Sequence, residues 1–194
     1  MGPERRILAF GDSLFAGYGL KPGESYPAKL EAALRAHGIS ARITNAGVSG
    51  DTTAAALQRL EFTLNSQAQP PELVLICLGG NDLLRGLSPD QTRANLAAIL
   101  AELKRRKLKV LVMGMLAPPN LGPDYRAKFD PIYPALARQD GAALVPFFLQ
   151  PVIGKPDLIQ ADHLHPNAIG VQEIVAATVA MVVKALPPPE KGPS

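Results

Sequence analysis

The chain has 194 residues, of which 47% are hydrophobic and 19% are charged, and its net charge is +3. This composition excludes a disordered or fibrous chain and is typical of one globular domain with a substantial core. The main basic cluster, 104–107, falls where a helix is predicted to end, and the helix dipole favours cations there. Because no aromatic residues interleave with that cluster, we expect no nucleic-acid partner.

The start of the chain and its cysteine bear on its compartment. Cys77 lies inside an apolar run and has no partner for an internal disulfide, so a buried, inert thiol is expected. The chain passes from Arg6 directly into a predicted strand, which indicates no signal peptide and a cytoplasmic protein as given. Removal of a leader would make it periplasmic or secreted instead. No apolar run reaches the roughly 18 residues of a spanning helix, so no stable membrane insertion is expected.

Short apolar runs alternate with stretches of helical periodicity along the whole chain. The runs predict strands at residues 7–10, 41–45, 73–78, 110–116 and 143–147. Helices are predicted at 25–37, 52–64, 88–107 and 166–186, with further helical sequence after 124 broken at Pro131 and Pro134. Strands separated by helices form parallel sheets with right-handed crossovers. We therefore predict a single three-layer α/β/α domain over residues 1–186, followed by a disordered tail at 187–194.

Residue types at the helix ends add detail to these predictions. Ser88 is expected to cap its helix and to form a capping box with Gln91. Pro166 suits the first position of the last helix, which would hold His165 immediately before that helix. Apolar residues are expected to form the inward face of the last helix: Ile174, Val175, Val179, Val182 and Val183.

Most of the polar residues suited to catalysis follow the predicted strands. Ser13 follows the first strand, residues 45–52 follow the second, 79–82 the third and 162–165 the fifth. The carboxyl ends of parallel strands share one edge of the sheet, and ligands bind there where the strand order reverses. We therefore expect these four segments to surround one site.

The segment Gly11-Asp12-Ser13-Leu14 is the candidate nucleophile turn. A buried strand that ends in glycine and a small hydroxyl residue can expose that hydroxyl at the lip of a sheet. The alternative is ordinary turn chemistry, because Asp and Ser side chains readily bond to nearby backbone groups.

A serine nucleophile needs a base, and the chain has three histidines. His37 ends a predicted helix and is expected to cap it. His165 is the candidate base, and Asp162, three residues earlier, could orient its imidazole. His163 is expected to point elsewhere, because adjacent residues do not share a face. The alternative is that Asp162 only caps the last helix.

Acyl transfer also needs hydrogen-bond donors for the oxyanion. The Asn81 amide is one candidate, and the Ser13 backbone N–H is another. Gly50 precedes a predicted helix N-terminus, where a free backbone N–H would point outward. Gly47 is its competitor, although it is closer to the strand and better suited to the turn alone. Ordinary loop chemistry remains the alternative for Gly50 and Asn81.

These blocks resemble the SGNH (GDSL) hydrolases, and their neighbouring sequence resembles the bacterial acyl-CoA thioesterase I, arylesterase and lysophospholipase branch. The resemblance covers residues 7 to about 186. It implies Ser13 as nucleophile, His165 as general base and acid, and Asp162 as their partner. It also implies an oxyanion hole of Ser13, Gly50 and Asn81, a flavodoxin-like sheet of order 2-1-3-4-5, and a mobile loop at 83–87.

The expected reaction is hydrolysis of aryl and short- to medium-chain acyl esters through an acyl-enzyme, with acyl thioesters as a further substrate class. Neither a metal nor an organic cofactor is expected, because no ligand cluster is visible. The expected partner is therefore a small-molecule ester or thioester, and the oligomeric state is left open. Lysophospholipase, carbohydrate acetylesterase and a non-enzymatic flavodoxin-like binding module are the alternatives. The candidate substrate-binding residues are Asp12, Leu14, Leu83, Leu84 and Leu116.

Overall fold

The computed structural model describes residues 2–188, and a parallel sheet of five strands forms its centre. The strands are β1 Arg5–Gly11, β2 Ala41–Gly47, β3 Leu73–Cys77, β4 Lys109–Met113 and β5 Ala143–Val145. Their order is β2-β1-β3-β4-β5, and every neighbouring pair is parallel. The predicted fold class and strand order are thus confirmed. The order reverses at β1 and β3, which places the expected ligand crevice at their carboxyl ends.

Helices cover the sheet on both faces. They are α1 Ser13–Ala16, α2 Tyr26–Ala36, α3 Thr53–Asn65, α4 Gly80–Leu84, α5 Pro89–Arg105, α6 Pro123–Phe129, α7 Ile132–Asp140 and α8 Ala168–Ala185. Short 3-10 turns lie at Pro119–Leu121 and Pro156–Leu158. Helix α2 packs against α8, whereas α3 and α7 pack against α5. Residues 189–194 of the predicted tail lie outside the described residues.

The core is centred on β1 and β3. Every residue of β3 is buried, and Ile7 to Phe10 of β1 are at most 1% exposed. Strands of a parallel sheet are buried on both faces, so their sequences are continuously apolar. Strand β2 lies at an edge and is mostly half-buried or exposed. Cys77 is buried and unpaired, as predicted.

The two strands on the far side of the sheet end earlier than predicted. Strand β4 stops at Met113 and β5 at Val145, because the regular pairing is lost there: Gly114 O accepts from the Phe148 N–H, where a continuous parallel ladder would use the N–H of residue 147. The two segments still run side by side for one more residue, since the Gly114 N–H donates to Val145 O at 2.7 Å.

The last helix starts two residues later than predicted, so His165 does not immediately precede it. Asn167 is its N-cap and accepts hydrogen bonds from the N–H groups of Ile169 and Gly170. Pro166 instead forms an isolated antiparallel bridge with Ile159.

The inward face of α8 also differs from expectation, and the helix as a whole is long and apolar. Ile174, Val175 and Val182 are buried, but Val183 is 39% exposed, so its predicted inward position is wrong. By length and composition alone, α8 is long and apolar enough to cross a membrane, a property that the core helix of a folded domain can share. In the described chain, however, α8 packs against α2, β4 and β5.

Two further local predictions are wrong. Ser88 is the N-cap of α5, but its side chain makes no capping hydrogen bond, so no capping box with Gln91 forms. Pro134 does not break a helix but lies in the first turn of α7, where its missing N–H is not needed. The predicted break at Pro131 is confirmed, because this residue separates α6 from α7.

Candidate active site

The carboxyl ends of the strands open into a cavity of about 750 Å³. Ser13, Asn81 and His165 all line it, although they follow three different strands. The five residues expected to bind substrate line it as well: Asp12, Leu14, Leu83, Leu84 and Leu116. Leu84 and Leu116 are 60% and 41% exposed, so the cavity has an open apolar rim. The segment 147–156 supplies a further wall that the sequence did not indicate.

Ser13 is held at the start of a one-turn helix directly after β1. Asp12 is the N-cap of α1, and its Oδ1 accepts a hydrogen bond from the Leu14 N–H at 3.0 Å. The Asp12 N–H donates to Cys77 O at 3.2 Å, which ties the turn to β3. The side-chain hydrogen bond expected of an ordinary turn is therefore present, but Asp12 makes it. The Ser13 hydroxyl is left free for another partner.

That partner is His165, which Asp162 orients. Ser13 Oγ lies 2.9 Å from His165 Nε2, and His165 Nδ1 lies 2.6 Å from Asp162 Oδ2. The other oxygen, Asp162 Oδ1, accepts hydrogen bonds from the backbone N–H groups of Leu164 and His165 at 2.9 and 3.0 Å. With Nδ1–H donated to the carboxylate, Nε2 is the nitrogen left to accept the Ser13 proton. Asp162 therefore orients both the ring and its backbone, and it does not cap α8, since Asn167 does.

The two carboxylic acids next to this pair have opposite pKa shifts. Burial raises the pKa of Asp12 to about 6, although the Leu14 N–H opposes the shift. Desolvation also acts to raise the pKa of Asp162, but hydrogen bonds from the His165 ring and from the His165 and Leu164 N–H groups outweigh it. Together they lower the pKa of Asp162 to about 2. Asp162 is thus ionised over the whole range in which a histidine titrates.

The other two histidines have different surroundings. His37 is the C-cap of α2, and its ring Nδ1 lies 2.7 Å from Ala33 O, as its predicted capping role requires. His163 adopts a left-handed φ of 59° and lines the same cavity as His165, so the expectation that it points elsewhere is wrong. Its neighbour His165 alone bonds to Ser13 and Asp162. The ring of Tyr18 lies against His165, with centroids 4.7 Å apart.

Gly50 lies in a turn and Asn81 lies in the short helix α4, so neither of these two candidate oxyanion donors is at the start of a long helix. Gly50 has φ 86°, and α3 begins only at Thr53 after the N-cap Thr52. The expected dipole behind Gly50 is therefore replaced by a glycine-dependent turn. Asn81 Nδ2 donates one hydrogen to Asp51 O at 2.8 Å, which fixes its amide and leaves a second N–H. Gly47 serves packing, because a Cβ there would lie 2.3 Å from the Ala16 nitrogen.

Asp82, next to Asn81 in α4, has a buried carboxylate that the sequence did not single out. Its hydrogen bonds hold α4 in place. Asp82 is 1% exposed, and its Oδ2 accepts from the Thr53 N–H at 2.9 Å. Its Oδ1 accepts from the hydroxyls of Thr53 and Thr92 at 2.6 and 3.1 Å. Asp82 thereby joins α3, α4 and α5 behind the cavity. Its position next to Asn81 was the available signal, but its partners are distant in sequence.

Comparison with known proteins agrees with this geometry. A model described as the GDSL-like Lipase/Acylhydrolase family matches residues 9–173. The chain belongs to the GDSL-like lipase/acylhydrolase family. Among GDSL relatives, the chain is 41% identical to Esterase TesA of Pseudomonas aeruginosa over 180 residues, covering 93% of this chain and 88% of the relative. It is 42% identical to the Arylesterase of Vibrio mimicus over 162 residues, or 84% and 80% of the two chains.

A solved GDSL-family structure resembles the chain over nearly its whole length. AlinE4, described as an SGNH-hydrolase family esterase, is 66% identical, with a TM-score of 0.82. The match covers 97% of this chain and 100% of AlinE4. Structures of the AlinE4 variants S13A and D162A match over the same extent.

Proposed function

We propose that this GDSL-family protein is a serine esterase that hydrolyses carboxylic esters, with Ser13 as nucleophile, His165 as general base and acid, and Asp162 as the orienting acid. One observation carries the proposal: an unbroken chain of hydrogen bonds, 2.6 Å from Asp162 to His165 and 2.9 Å from His165 to Ser13. Such a chain activates a hydroxyl that is a weak nucleophile on its own.

The reaction follows from the positions of these atoms. His165 Nε2 takes the proton of Ser13 Oγ as that oxygen bonds to the carbonyl carbon of the ester. The resulting imidazolium is stabilised by the Asp162 carboxylate and then donates its proton to the departing alcohol. Water, deprotonated by the same Nε2, then attacks the acyl-serine to form a second tetrahedral intermediate. The bond between its carbon and Ser13 Oγ breaks, the carboxylic acid is released, and the His165 imidazolium returns its proton to the serine.

The proposed oxyanion hole consists of three N–H donors. Asn81 Nδ2 has two hydrogens and donates one to Asp51 O, so the other is available to the oxyanion. Ser13 is the first residue of α1, so its backbone N–H has no intrahelical acceptor. The Gly50 N–H is the third donor. One such donor is typically worth about 10²- to 10³-fold in kcat.

The cavity and the relatives support the substrate class. The apolar rim at Leu84 and Leu116 suits an aryl or short- to medium-chain acyl group. Relatives bear the names esterase, arylesterase and, in Escherichia coli at 39% identity over 161 residues, thioesterase 1/protease 1/lysophospholipase L1. We therefore propose oxygen esters as the first substrates, and thioesters and lysophospholipids as further ones. The AlinE4 variants S13A and D162A involve the same residue types at the same numbers as the proposed nucleophile and orienting acid.

A chromogenic aryl ester assay on the wild-type protein and Ser13→Ala tests the function. We expect the wild type to turn over a p-nitrophenyl ester and Ser13→Ala to lose at least about 10³-fold in kcat. Ser88→Ala is the matched control, because this serine caps α5 without a side-chain hydrogen bond and does not line the cavity. An inactive wild type, or equal turnover by the wild type and Ser13→Ala, would contradict the proposal.

A substrate panel then defines the ester. Oxygen esters and thioesters of the same acyl groups, from acetyl to dodecanoyl, are compared by kcat/KM. A maximum at short or medium oxygen esters supports the proposed preference. A maximum at long-chain lysophospholipids would favour the lysophospholipase alternative, and activity confined to acetylated sugars would favour the carbohydrate esterase alternative.

A further inference from the structure

Arg59 is a partly buried cation that none of the proposed catalytic steps uses. It lies on α3, and its side chain is 22% exposed. Its Nε donates to Asp51 Oδ2 at 2.6 Å, and its Nη2 donates to Gly11 O at 2.9 Å. The guanidinium carbon lies 4.2 Å from the centre of the Phe10 ring, so the guanidinium also makes a cation–π contact.

The two acceptors of Arg59 belong to different parts of the proposed oxyanion hole. Gly11 ends β1, two residues before Ser13. Asp51 directly follows Gly50, and its backbone oxygen accepts the hydrogen bond from Asn81 Nδ2. A single side chain therefore connects the segments that present all three proposed donors.

The shape of the guanidinium is what makes this connection rigid. Its planar fork can donate to a carboxylate and a carbonyl at the same time, whereas a lysine ammonium is a point charge on a flexible stem. Gly11 O also accepts the Val48 N–H at 3.0 Å, so the turn leading to Gly50 is fixed to the same carbonyl. Two hydrogen bonds to Gly11 O, one from Arg59 and one from the Val48 N–H, thus set the spacing between the nucleophile turn and the Gly50 turn.

Charge gives Arg59 a second effect on the same site. Burial is the main cause of the raised pKa of Asp12, and the carboxylates of Asp51 and Asp82 lie close enough to add to it. An unpaired carboxylate at Asp51 would disfavour negative charge on the nearby oxyanion, and the ion pair with Arg59 compensates for it.

We propose that Arg59 is a positioning residue of the esterase: by bridging Gly11 and Asp51, it holds the Gly50 and Asn81 donors at a fixed distance from Ser13. This inference rests on the proposed function. It concerns the transition state, in which the oxyanion is formed, and not the binding of the ester. Loss of an interaction made only in the transition state lowers kcat and leaves KM nearly unchanged.

The test compares Arg59→Lys with the wild type on a short p-nitrophenyl ester. We expect kcat to fall by about 10- to 100-fold and KM to change by less than about threefold, because a misplacement of 1 Å at a reacting site costs up to about 10²-fold. Arg106→Lys is the matched control. Arg106 also donates from Nε to a carboxylate at 2.6 Å, and its side chain is 23% exposed, but its partner Glu102 lies at the end of α5, away from the cavity.

A second variant keeps the test decisive if Arg59→Lys does not fold. Asp51→Asn retains the shape and the backbone oxygen of Asp51 but removes the charge, and the same selective loss of kcat is expected. Unchanged kcat in a folded Arg59→Lys, or in Asp51→Asn where Arg59→Lys is unfolded, would overturn the inference. So would equal losses in Arg59→Lys and Arg106→Lys. These outcomes are distinct from failure of the proposed function, in which the wild type itself is inactive or Ser13→Ala retains activity.

Discussion

The two sides of the Ser13–His165 hydrogen bond are built in opposite ways. Ser13 and its neighbour Asp12 are 9% and 1% exposed, and the Asp12 N–H is tied to Cys77 O at the end of β3. The buried Asp82 lies near enough to add to the effect of burial on the pKa of Asp12. Asp162 and His165 lie in a largely exposed turn, and the Asp162 side chain is 34% exposed. The nucleophile is thus positioned by the core, whereas the base is positioned by hydrogen bonds within four residues.

The pKa values of Asp12 and Asp162 show how each arrangement affects a carboxylic acid. Asp12 is deprived of water and has its pKa raised to about 6, so its ionised form is disfavoured in the folded protein. Asp162 keeps access to water, accepts three hydrogen bonds and has its pKa lowered to about 2. We therefore expect changes on the nucleophile side to alter stability as well as activity, and changes on the base side to alter activity alone.

The largest effect is expected from Asp162→Ala on the exposed side. Without the carboxylate, the imidazole loses its fixed tautomer, and kcat should fall by about 10³- to 10⁴-fold. The free energy of unfolding at pH 7 should change by no more than about 1 kcal/mol, because exposed ion pairs contribute little. Steady-state kinetics and urea denaturation measure both quantities.

Asp157→Ala is the control for this variant, since Asp157 is exposed in the preceding 3-10 turn and does not line the cavity. A large loss of stability in Asp162→Ala would show that the base segment depends on the core after all.

The buried side is tested by Asp82→Ala. This change leaves the Thr53 N–H and the Thr53 hydroxyl without an acceptor, whereas the Thr92 hydroxyl keeps Ser88 O at 3.3 Å. Buried donors without partners cost about 1–3 kcal/mol each, so we expect the free energy of unfolding to fall by about 2–4 kcal/mol. Asp90→Ala, at the exposed start of α5, should cost less than about 1 kcal/mol. Equal urea midpoints for the two variants would contradict the role given to Asp82.

The raised pKa of Asp12 predicts a specific pH dependence. Between pH 3.8 and about 6, the unfolded chain has lost the Asp12 proton and the folded protein keeps it, so this group makes stability fall as pH rises. Asp12→Asn keeps an oxygen for the Leu14 N–H and has no proton to lose. Relative to the wild type, Asp12→Asn should therefore gain about 2–3 kcal/mol of stability between pH 4 and pH 7.

Urea denaturation at the two pH values measures this gain. Asp162 contributes with the opposite sign, because its stabilising effect is present above pH 3.8 and is lost as pH falls towards 2. The two carboxylic acids therefore act in separate pH ranges. A constant difference between the wild type and Asp12→Asn from pH 4 to pH 7 would contradict the raised pKa.

The smallest effect is expected at the cavity rim, which neither side of the catalytic pair controls. Leu116→Ala removes a half-exposed apolar group and should lower kcat/KM for an octanoyl ester by about threefold to tenfold, with little change for an acetyl ester. Met181→Ala on α8 is the control, because Met181 is 40% exposed and does not line the cavity. Equal losses for both acyl lengths would remove Leu116 from the acyl-binding surface.

The parts of the molecule that could be predicted from the sequence are those with local signals. Strands β1 and β3 are uninterrupted apolar runs, and the segments after the strands meet because parallel strands share an edge. The pairing of Asp162 with His165 followed from a spacing of three residues. Helix α8 was placed too early because proline at a first helical position and asparagine at an N-cap are both valid signals, and the chain uses Asn167.

The supporting hydrogen bonds could not be predicted in the same way. Asp82 reaches Thr53, which is 29 residues away, and Arg59 reaches Gly11 across 48 residues. No periodicity or motif encodes such pairs, because they depend on how α3, α4 and β1 pack against one another. Asp51 illustrates the limit: it directly precedes Thr52, the N-cap of α3, but its own side chain pairs with Arg59.

The hydrogen bond between Ser13 and His165 joins residues 152 positions apart. During synthesis, β1 and the nucleophile turn leave the ribosome long before the histidine exists, and β1 must wait for β3 before it is paired on both sides. Closing so long a loop depends on the whole sheet having formed first. Recovery of esterase turnover during refolding should therefore lag behind the recovery of helical circular dichroism. The recovery of activity then reports when the C-terminal segment docks against the rest of the domain.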